Sequence, residues 1–307
     1  MKHNLRSILS GQGVSLITPF NEAGEIDYPR LEGLVLRLVH DDSDFIIALG
    51  TSSECSLLSI EEQVRVLDFV SEINESRKPL IAGIAGSDTR SSVQRAASFD
   101  RRDIAAIFCA SSNPSASSQS GYIGHCRSVS EASPLPVILH NAHQFKTVGM
   151  TCDTIMELAH EPNIAGVIEC SGDVALTGEL IRSRPDHFAI LSGRDVMALP
   201  LLSLGVDGVV SSIGNAFSKE FGSMVHQLLF GSIHEARKTH HALAPLMRIL
   251  ETEGEPTGIK TILAHLSLCD ARVRLPNTPV SNSTKQAIYD AIAELPLEML
   301  RLETTFS

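Results

Sequence analysis

Residues 163–173 read NIAGVIECSGD, the pattern of a buried strand that leaves a protein core and ends in a polar turn. Ile164, Val167 and Ile168 precede the polar residues Glu169 and Ser171. Apolar runs of this length are expected where both faces of a sheet are covered. The pattern recurs through the chain, at 14–18, 45–50, 80–85, 105–110, 137–141, 165–169, 188–192 and 208–212.

Helical patterns separate these runs. Amphipathic stretches lie at 27–40, 91–100, 121–130, 151–160 and 174–183. Ser59 is the predicted N-cap of another helix, and Glu62 completes a capping box with it. Eight strands that alternate with helices predict an α/β protein with a TIM (β/α)8 barrel. An open doubly wound sheet is the alternative, but no GxGxxG motif follows the first strand.

The pattern after residue 215 is helical only. Helices are predicted at 217–229, 232–252, 259–268 and 283–293, with breaks at Pro256 and at 275–279. We therefore predict a barrel domain at 1–215 and a C-terminal helical domain at 216–307, packed on the barrel.

The amino-acid composition limits the kinds of partner and the cellular compartment that we expect for this protein. The 307 residues carry a net charge of −11 and no basic block, which argues against nucleic acid as a partner. No apolar run approaches the ~20 residues that a bilayer span needs, and the N-terminus lacks the apolar stretch of a signal peptide. The six cysteines show no paired spacing, which favours reduced thiols in a cytoplasmic protein.

Polar residues follow the predicted strands at the end where such barrels place their sites. Hydroxyl groups and backbone amides predominate there, and these donors suit a carboxylate or a developing oxyanion. The predicted substrate-binding residues are Ser53, Asn141, Glu169, Cys170, Arg194 and Ser212.

Six segments, in order, resemble the dihydrodipicolinate synthase / N-acetylneuraminate lyase family over nearly the whole chain. They are GVSLITPFNEAGEIDYPRL (13–31), GTSSECSLLSIEEQ (50–63), PLIAGIAG (79–86), ILSGRDVMAL (190–199), GVVSSIGN (208–215) and VRLPNTPVS (273–281). The resemblance implies a TIM barrel with a helical C-terminal extension, a homo-oligomer (dimer or tetramer), and a small keto acid or carboxylate as the ligand. It implies no cofactor.

The family's chemistry, as the resemblance implies it, is a Schiff base between a strand-six lysine and pyruvate or a related 2-keto acid. Here Ile168 stands at the lysine position and His140 at that of a proton-relaying tyrosine. A second tyrosine is matched by Asn113 or Pro114, and Phe145 stands where many members carry an arginine for the substrate carboxylate. Because a hydrocarbon side chain cannot form an imine, the usual mechanism is excluded at residue 168.

Other groups at the strand exits offer an alternative chemistry. Thr51 and Glu54 match the family's GTTGE segment, Ser52 is a conservative change, and Ser53 replaces its glycine. We predict that His140 is a general base that works with Thr51 and Ser52, since an ordinary histidine pKa of ~6.5 suits proton transfer. The alternative is a hydrogen-bonded histidine that fills the tyrosine's volume.

Three further side chains each have two interpretations. Cys170 is a nucleophile or a packed thiol. Arg194 replaces the missing carboxylate-binding arginine, or it forms a salt bridge with Asp195 or another rim residue. Lys146 reaches the mouth of the site or is an exposed surface lysine.

Two more expectations concern metal binding and Lys260. His140 and His143 with Glu169 or Cys170 could bind a metal, but two histidines without a clear third ligand are a weak signal, and we predict no metal. Lys260, in the helical tail, is expected to make structural contacts.

Two functions follow. The first is a lyase or aldolase relative that acts on a keto-acid-like carboxylate without the imine, and so is not a true dihydrodipicolinate synthase. The second is a catalytically inactive barrel that binds a small carboxylate or serves as a partner or regulatory subunit.

Overall fold

The computed structural model describes residues 5–41, 43–84, 88–99, 103–110, 118–141 and 149–300. Eight parallel strands in this part of the chain close into a barrel in sequential order, β1 to β8. They are β1 Gly11–Ser15, β2 Phe45–Ala48, β3 Leu80–Ile84, β4 Ala106–Ala110, β5 Val137–Asn141, β6 Ile164–Glu169, β7 Ala189–Ser192 and β8 Gly208–Ser211. The predicted (β/α)8 architecture is confirmed.

Helices surround the barrel and continue beyond its last strand. They are α1 Leu5–Ile8, α2 Tyr28–His40, α3 Ile60–Asn74, α4 Thr89–Ala97, α5 Gln119–Ala132, α6 Cys152–Ala159, α7 Val174–Ser183, α8 Ala198–Leu204, α9 Ser218–Leu229, α10 Ile233–Glu253, α11 Glu255–His265 and α12 Asn282–Ala293. Helix α9 packs against β1, and α10 packs against α9, α11 and α12. The domain boundary at residue 215 stays a prediction.

Local sequence explains how several helices begin. Ser59 caps α3 by accepting a hydrogen bond from the Glu62 amide, and the Glu62 carboxylate accepts one from the Ser59 amide. This reciprocal capping box was predicted from the sequence. Asp88 caps α4 in the same way, and Asp173 accepts hydrogen bonds from two amides of α7.

Apolar side chains form two clusters, one on each face of the sheet, because successive residues of a strand point to opposite faces. One lies inside the barrel and includes Phe45, Phe108, Ile168 and Leu191. The other lies between the strands and the helices, where Val167 of β6 is fully buried. Ile168 therefore points into the barrel, on the same strand that sends Val167 outward.

No helix in the described ranges is long and apolar enough to cross a membrane. The six cysteines form no disulfide bond among the described residues; Cys170 is half-buried and the other five are buried.

Candidate active site

A cavity of about 850 Å³ lies at the carboxyl ends of the strands. Strand residues and the turns after them form one side, and the junction of α10 with α11 forms the other, together with Pro276 and Asn277. The predicted site residues that line it are Thr51, His140, Ile168, Cys170, Arg194 and Ser212. The barrel thus brings together side chains from five strand exits that are far apart in the sequence.

Ile168 and His140 lie side by side on the cavity wall. They are paired residues of the neighbouring strands β6 and β5, and Ile168 is only 2% exposed. The His140 ring packs edge-on against Phe108, with 4.9 Å between ring centroids. Burial lowers the pKa of His140 to about 4, so the imidazole is neutral near pH 7.

Cys170 contacts this histidine directly. Its Sγ lies 3.2 Å from Nε2 of His140. Burial, together with the charges of Glu169 and Glu255, raises the pKa of the Cys170 thiol well above its ordinary value. A thiol that stays protonated is a poor nucleophile, so its environment is that of a packed thiol.

The turn after β2 is a short 3₁₀ helix, Thr51–Ser53, that ends at Glu54 in the left-handed conformation with φ of 57°. Glu54 is held there by Lys260, whose Nζ lies 2.6 Å from Oε1. The Arg274 amide and the Asn277 side chain donate to Oε2, at 2.9 and 3.0 Å. Lys260 therefore makes the structural contact that was expected of it.

Ser52 links this turn to Ser212 and to Glu255. The two serine Oγ atoms are 2.9 Å apart, and Ser52 donates a hydrogen bond of 2.8 Å to Oε2 of Glu255. Burial raises the pKa of Glu255, while the Ser52, Ser212 and Thr51 hydroxyls oppose that shift. Glu255 lines the cavity and is a site residue that the sequence analysis missed.

Asp195 is a second such carboxylate. It is 8% exposed, lines the cavity, and accepts hydrogen bonds from the amides of Ser212 and Ile213 at 3.1 and 2.8 Å. Burial raises the pKa of Asp195 to about 7, against the effect of the Ile213 amide. Its protonation state therefore changes close to neutral pH.

Arg194 is bound to the rim of the cavity. Its Nε and Nη2 lie 2.7 and 2.6 Å from Oε1 of Glu251, and its Nη1 donates to the Ser171 carbonyl at 3.0 Å. The partner of its salt bridge is therefore Glu251 of α10, rather than Asp195. A ligand carboxylate would compete with Glu251 for this guanidinium.

Three predicted substrate-binding residues lie outside the cavity lining. Ser53 donates its hydroxyl proton to the Gly50 carbonyl, at 2.6 Å. Asn141 and Glu169 are buried and bound to each other, with 2.6 Å between Nδ2 and Oε2. The remaining Glu169 oxygen accepts from the Ser171 amide at 2.6 Å, so these three side chains stabilise the strand exits.

Several sequence predictions concern residues outside the described ranges: Asn113, Pro114, His143, Phe145 and Lys146. Among the residues that the structure does describe, no lysine lines the cavity. Likewise, no group of three or more histidine, cysteine, aspartate or glutamate side chains in these ranges could hold a metal ion.

Comparison with known proteins gives a consistent result. The sequence model of the dihydrodipicolinate synthetase family matches residues 9–295. The chain is 36% identical over 286 residues to the 4-hydroxy-tetrahydrodipicolinate synthase of Azobacteroides pseudotrichonymphae, covering 93% of this chain and 97% of that protein. It is 34% identical over 291 residues to the protein of the same name from Parabacteroides distasonis, covering 94% and 98%.

A solved structure is also similar. The 4-hydroxy-tetrahydrodipicolinate synthase of Methylacidiphilum fumariolicum SolV superposes with a TM-score of 0.89 at 31% identity. The superposition covers 93% of this chain and 95% of that one.

Proposed function

Since the chain belongs to the dihydrodipicolinate synthetase family, we propose that it is a divergent lyase-type member that binds a small carbonyl compound without forming an imine at residue 168. The observation that carries this proposal is the place of Ile168. Its hydrocarbon side chain is 2% exposed, lines the cavity and packs in the barrel interior. Such a side chain supplies neither a nucleophile nor a proton.

The chemistry left to the site is proton transfer at a carbon next to a carbonyl group. His140 is neutral near pH 7, the state in which a general base accepts a proton. The hydroxyl of Thr51, which lines the cavity, would stabilise the oxygen of the resulting enolate, as donors do in an oxyanion site, whereas the predicted partner Ser52 lies behind the lining and donates its proton to Glu255. This chemistry requires the carbonyl group of the expected keto-acid substrate and does not require its carboxylate.

Trapping with borohydride tests the absence of an imine. Incubation of the protein with pyruvate and borohydride, followed by intact-mass measurement, should give no adduct. Ile168→Lys is the matched variant, since it restores an amine on the same strand, and it is expected to gain a trapped adduct with hydroxyacetone, a neutral carbonyl compound, under the same conditions. A stoichiometric adduct on the unaltered protein, on Lys146 for example, would overturn the proposal.

The second candidate is a barrel that binds a ligand without turning it over. Two observations favour it: the pKa of His140, lowered to about 4, makes this imidazole a weak base, and Glu251 occupies Arg194. Deuterium exchange into pyruvate and hydroxyacetone, followed by NMR in heavy water, separates the two candidates. Exchange that His140→Ala abolishes supports the enzyme, whereas bound ligand without exchange supports the binder.

A further inference from the structure

The carboxylate of Glu255 lies among the hydroxyl groups that were expected to receive a ligand. Glu255 is the first residue of α11, and its Oε2 accepts a hydrogen bond of 2.8 Å from Ser52. The hydroxyls of Ser212 and Thr51 also interact with this carboxylate. An acidic side chain of the protein thus stands in the place that a ligand carboxylate would take.

Glu255 uses the hydroxyl protons that a ligand carboxylate would need. A serine hydroxyl has one proton to donate. Ser52 donates its proton to Glu255, and Ser212 lies 2.9 Å from Ser52 and also interacts with Glu255. These protons are engaged within the protein, so a ligand carboxylate would have to displace Glu255 to receive them.

Charge acts in the same direction. Glu251, Asp195 and Glu255 line the cavity, and Arg194 is the only arginine or lysine among its described lining residues. Arg194 is bound to Glu251. A small anion that enters therefore meets acidic side chains, and among those residues it meets no guanidinium or ammonium that is not already engaged.

The start of α11 holds Glu255 in this position. Gly254 precedes it with φ of 90°, a conformation that glycine adopts without strain, and Pro256 follows in the first turn. The first turn of a helix also favours a negative charge. Glu255 thus reaches the cavity from the first turn of α11, a position where its negative charge is favoured.

We propose that Glu255 determines ligand specificity by filling the hydroxyl site with a carboxylate of the protein itself. It excludes small carboxylates such as pyruvate and selects a neutral or cationic carbonyl compound with hydroxyl or ammonium donors that can bond to Glu255. This inference rests on the proposed function, because it takes the cavity as the ligand site.

Binding of pyruvate to Glu255→Ala tests the proposal. Removing the carboxylate frees the Ser52 and Ser212 hydroxyls, and we expect pyruvate to bind the variant about tenfold or more tighter than it binds the unaltered protein, by calorimetry or ligand-observed NMR. Acetate should raise the melting temperature of this variant and not that of the unaltered protein, at matched ionic strength. Glu253→Ala is the matched control, since Glu253 also lines the cavity but bonds to Thr284, and it should gain nothing.

Glu255→Gln provides a second variant of nearly identical shape if Glu255→Ala fails to fold. It removes the charge, and pyruvate affinity should again rise relative to the unaltered protein. Equal affinity in all variants, or no binding by any of them, overturns the role of Glu255 and leaves the borohydride result untouched. An adduct on the unaltered protein overturns the proposed function separately, through a mass measurement that does not involve Glu255.

Discussion

Nζ of Lys260 lies 2.6 Å from Oε1 of Glu54, and neither side chain is exposed to solvent. The ammonium also donates to the Arg272 carbonyl at 3.1 Å and lies 4.0 Å from the centre of the Phe20 ring. Burial lowers the pKa of Lys260, and the charge of Glu54 opposes that shift. This pair joins the turn that carries Thr51 to helix α11, which carries Glu255.

Breaking this pair is expected to destabilise the protein strongly. Lys260→Met leaves the Glu54 carboxylate buried without its cation, and removal of one partner of a buried pair costs about 3–5 kcal/mol. Urea unfolding measures the loss. Lys238→Met is the control, since Lys238 pairs with Glu235 at an exposed position and its replacement should cost far less stability. Similar losses in the two variants would contradict the prediction.

The architecture could be predicted because short apolar runs indicate buried strands and apolar residues at helical spacing indicate the helices between them. Strand β5 matches the predicted 137–141, and helix α7 matches 174–183. Strand β1 was predicted at 14–18 but lies at Gly11–Ser15. Leu16 and Ile17 are buried in the segment after the strand, so they prolong the apolar run, while Gln12 and its flanking glycines conceal where it starts.

The site could be predicted only in part, since much of it depends on contacts between distant residues. Thr51, His140 and Ser212 were chosen because they follow strands, and all three line the cavity. Glu255 was missed because Pro256 was interpreted as a break and the helix was predicted to begin at 259. Helix α11 in fact begins at Glu255, because proline is tolerated in the first turn of a helix. No local pattern pairs Arg194 with Glu251.

Gly193 leaves the space that Cys170 and Ile168 occupy. A Cβ added at Gly193 would lie 2.3 Å from Sγ of Cys170 and 2.8 Å from Cγ2 of Ile168. Gly193→Ala should therefore destabilise the protein by about 1–3 kcal/mol, the usual cost of overpacking, and disturb the contact of Cys170 with His140. Gly124→Ala is the control: its added Cβ would meet open space on α5, and alanine should stabilise that helix by about 1 kcal/mol. Two losses of equal size in thermal or urea unfolding would refute the steric argument.

His140 is expected to make the protein less stable as the pH falls. The pKa of its imidazole is lowered from 6.5 to about 4 in the folded protein, so between these values the unfolded chain binds a proton that the native state refuses. Stability is fully present above pH 6.5 and is lost toward pH 4, by about 3 kcal/mol. His140→Gln removes this contribution. The difference in unfolding free energy between the variant and the unaltered protein should therefore change in favour of the variant as the pH falls from 6.5 to 4.

Asp195 is expected to act with the opposite sign. The pKa of its carboxyl is raised from 3.8 to about 7, so the native state keeps a proton that the unfolded chain loses. Stability from this group is fully present below pH 3.8 and is lost as the pH rises to 7, by about 4 kcal/mol. Asp195→Asn keeps an oxygen for the Ser212 and Ile213 amides and cannot ionise, so its advantage over the unaltered protein should grow with pH across this range. Between pH 4 and 6.5 the effects of the two groups on the unfolding free energy offset each other, so each single variant should reveal the pH dependence that the other group causes. Urea unfolding at several pH values measures this. If the unfolding free energies of both variants changed with pH just as that of the unaltered protein does, both assignments would be contradicted.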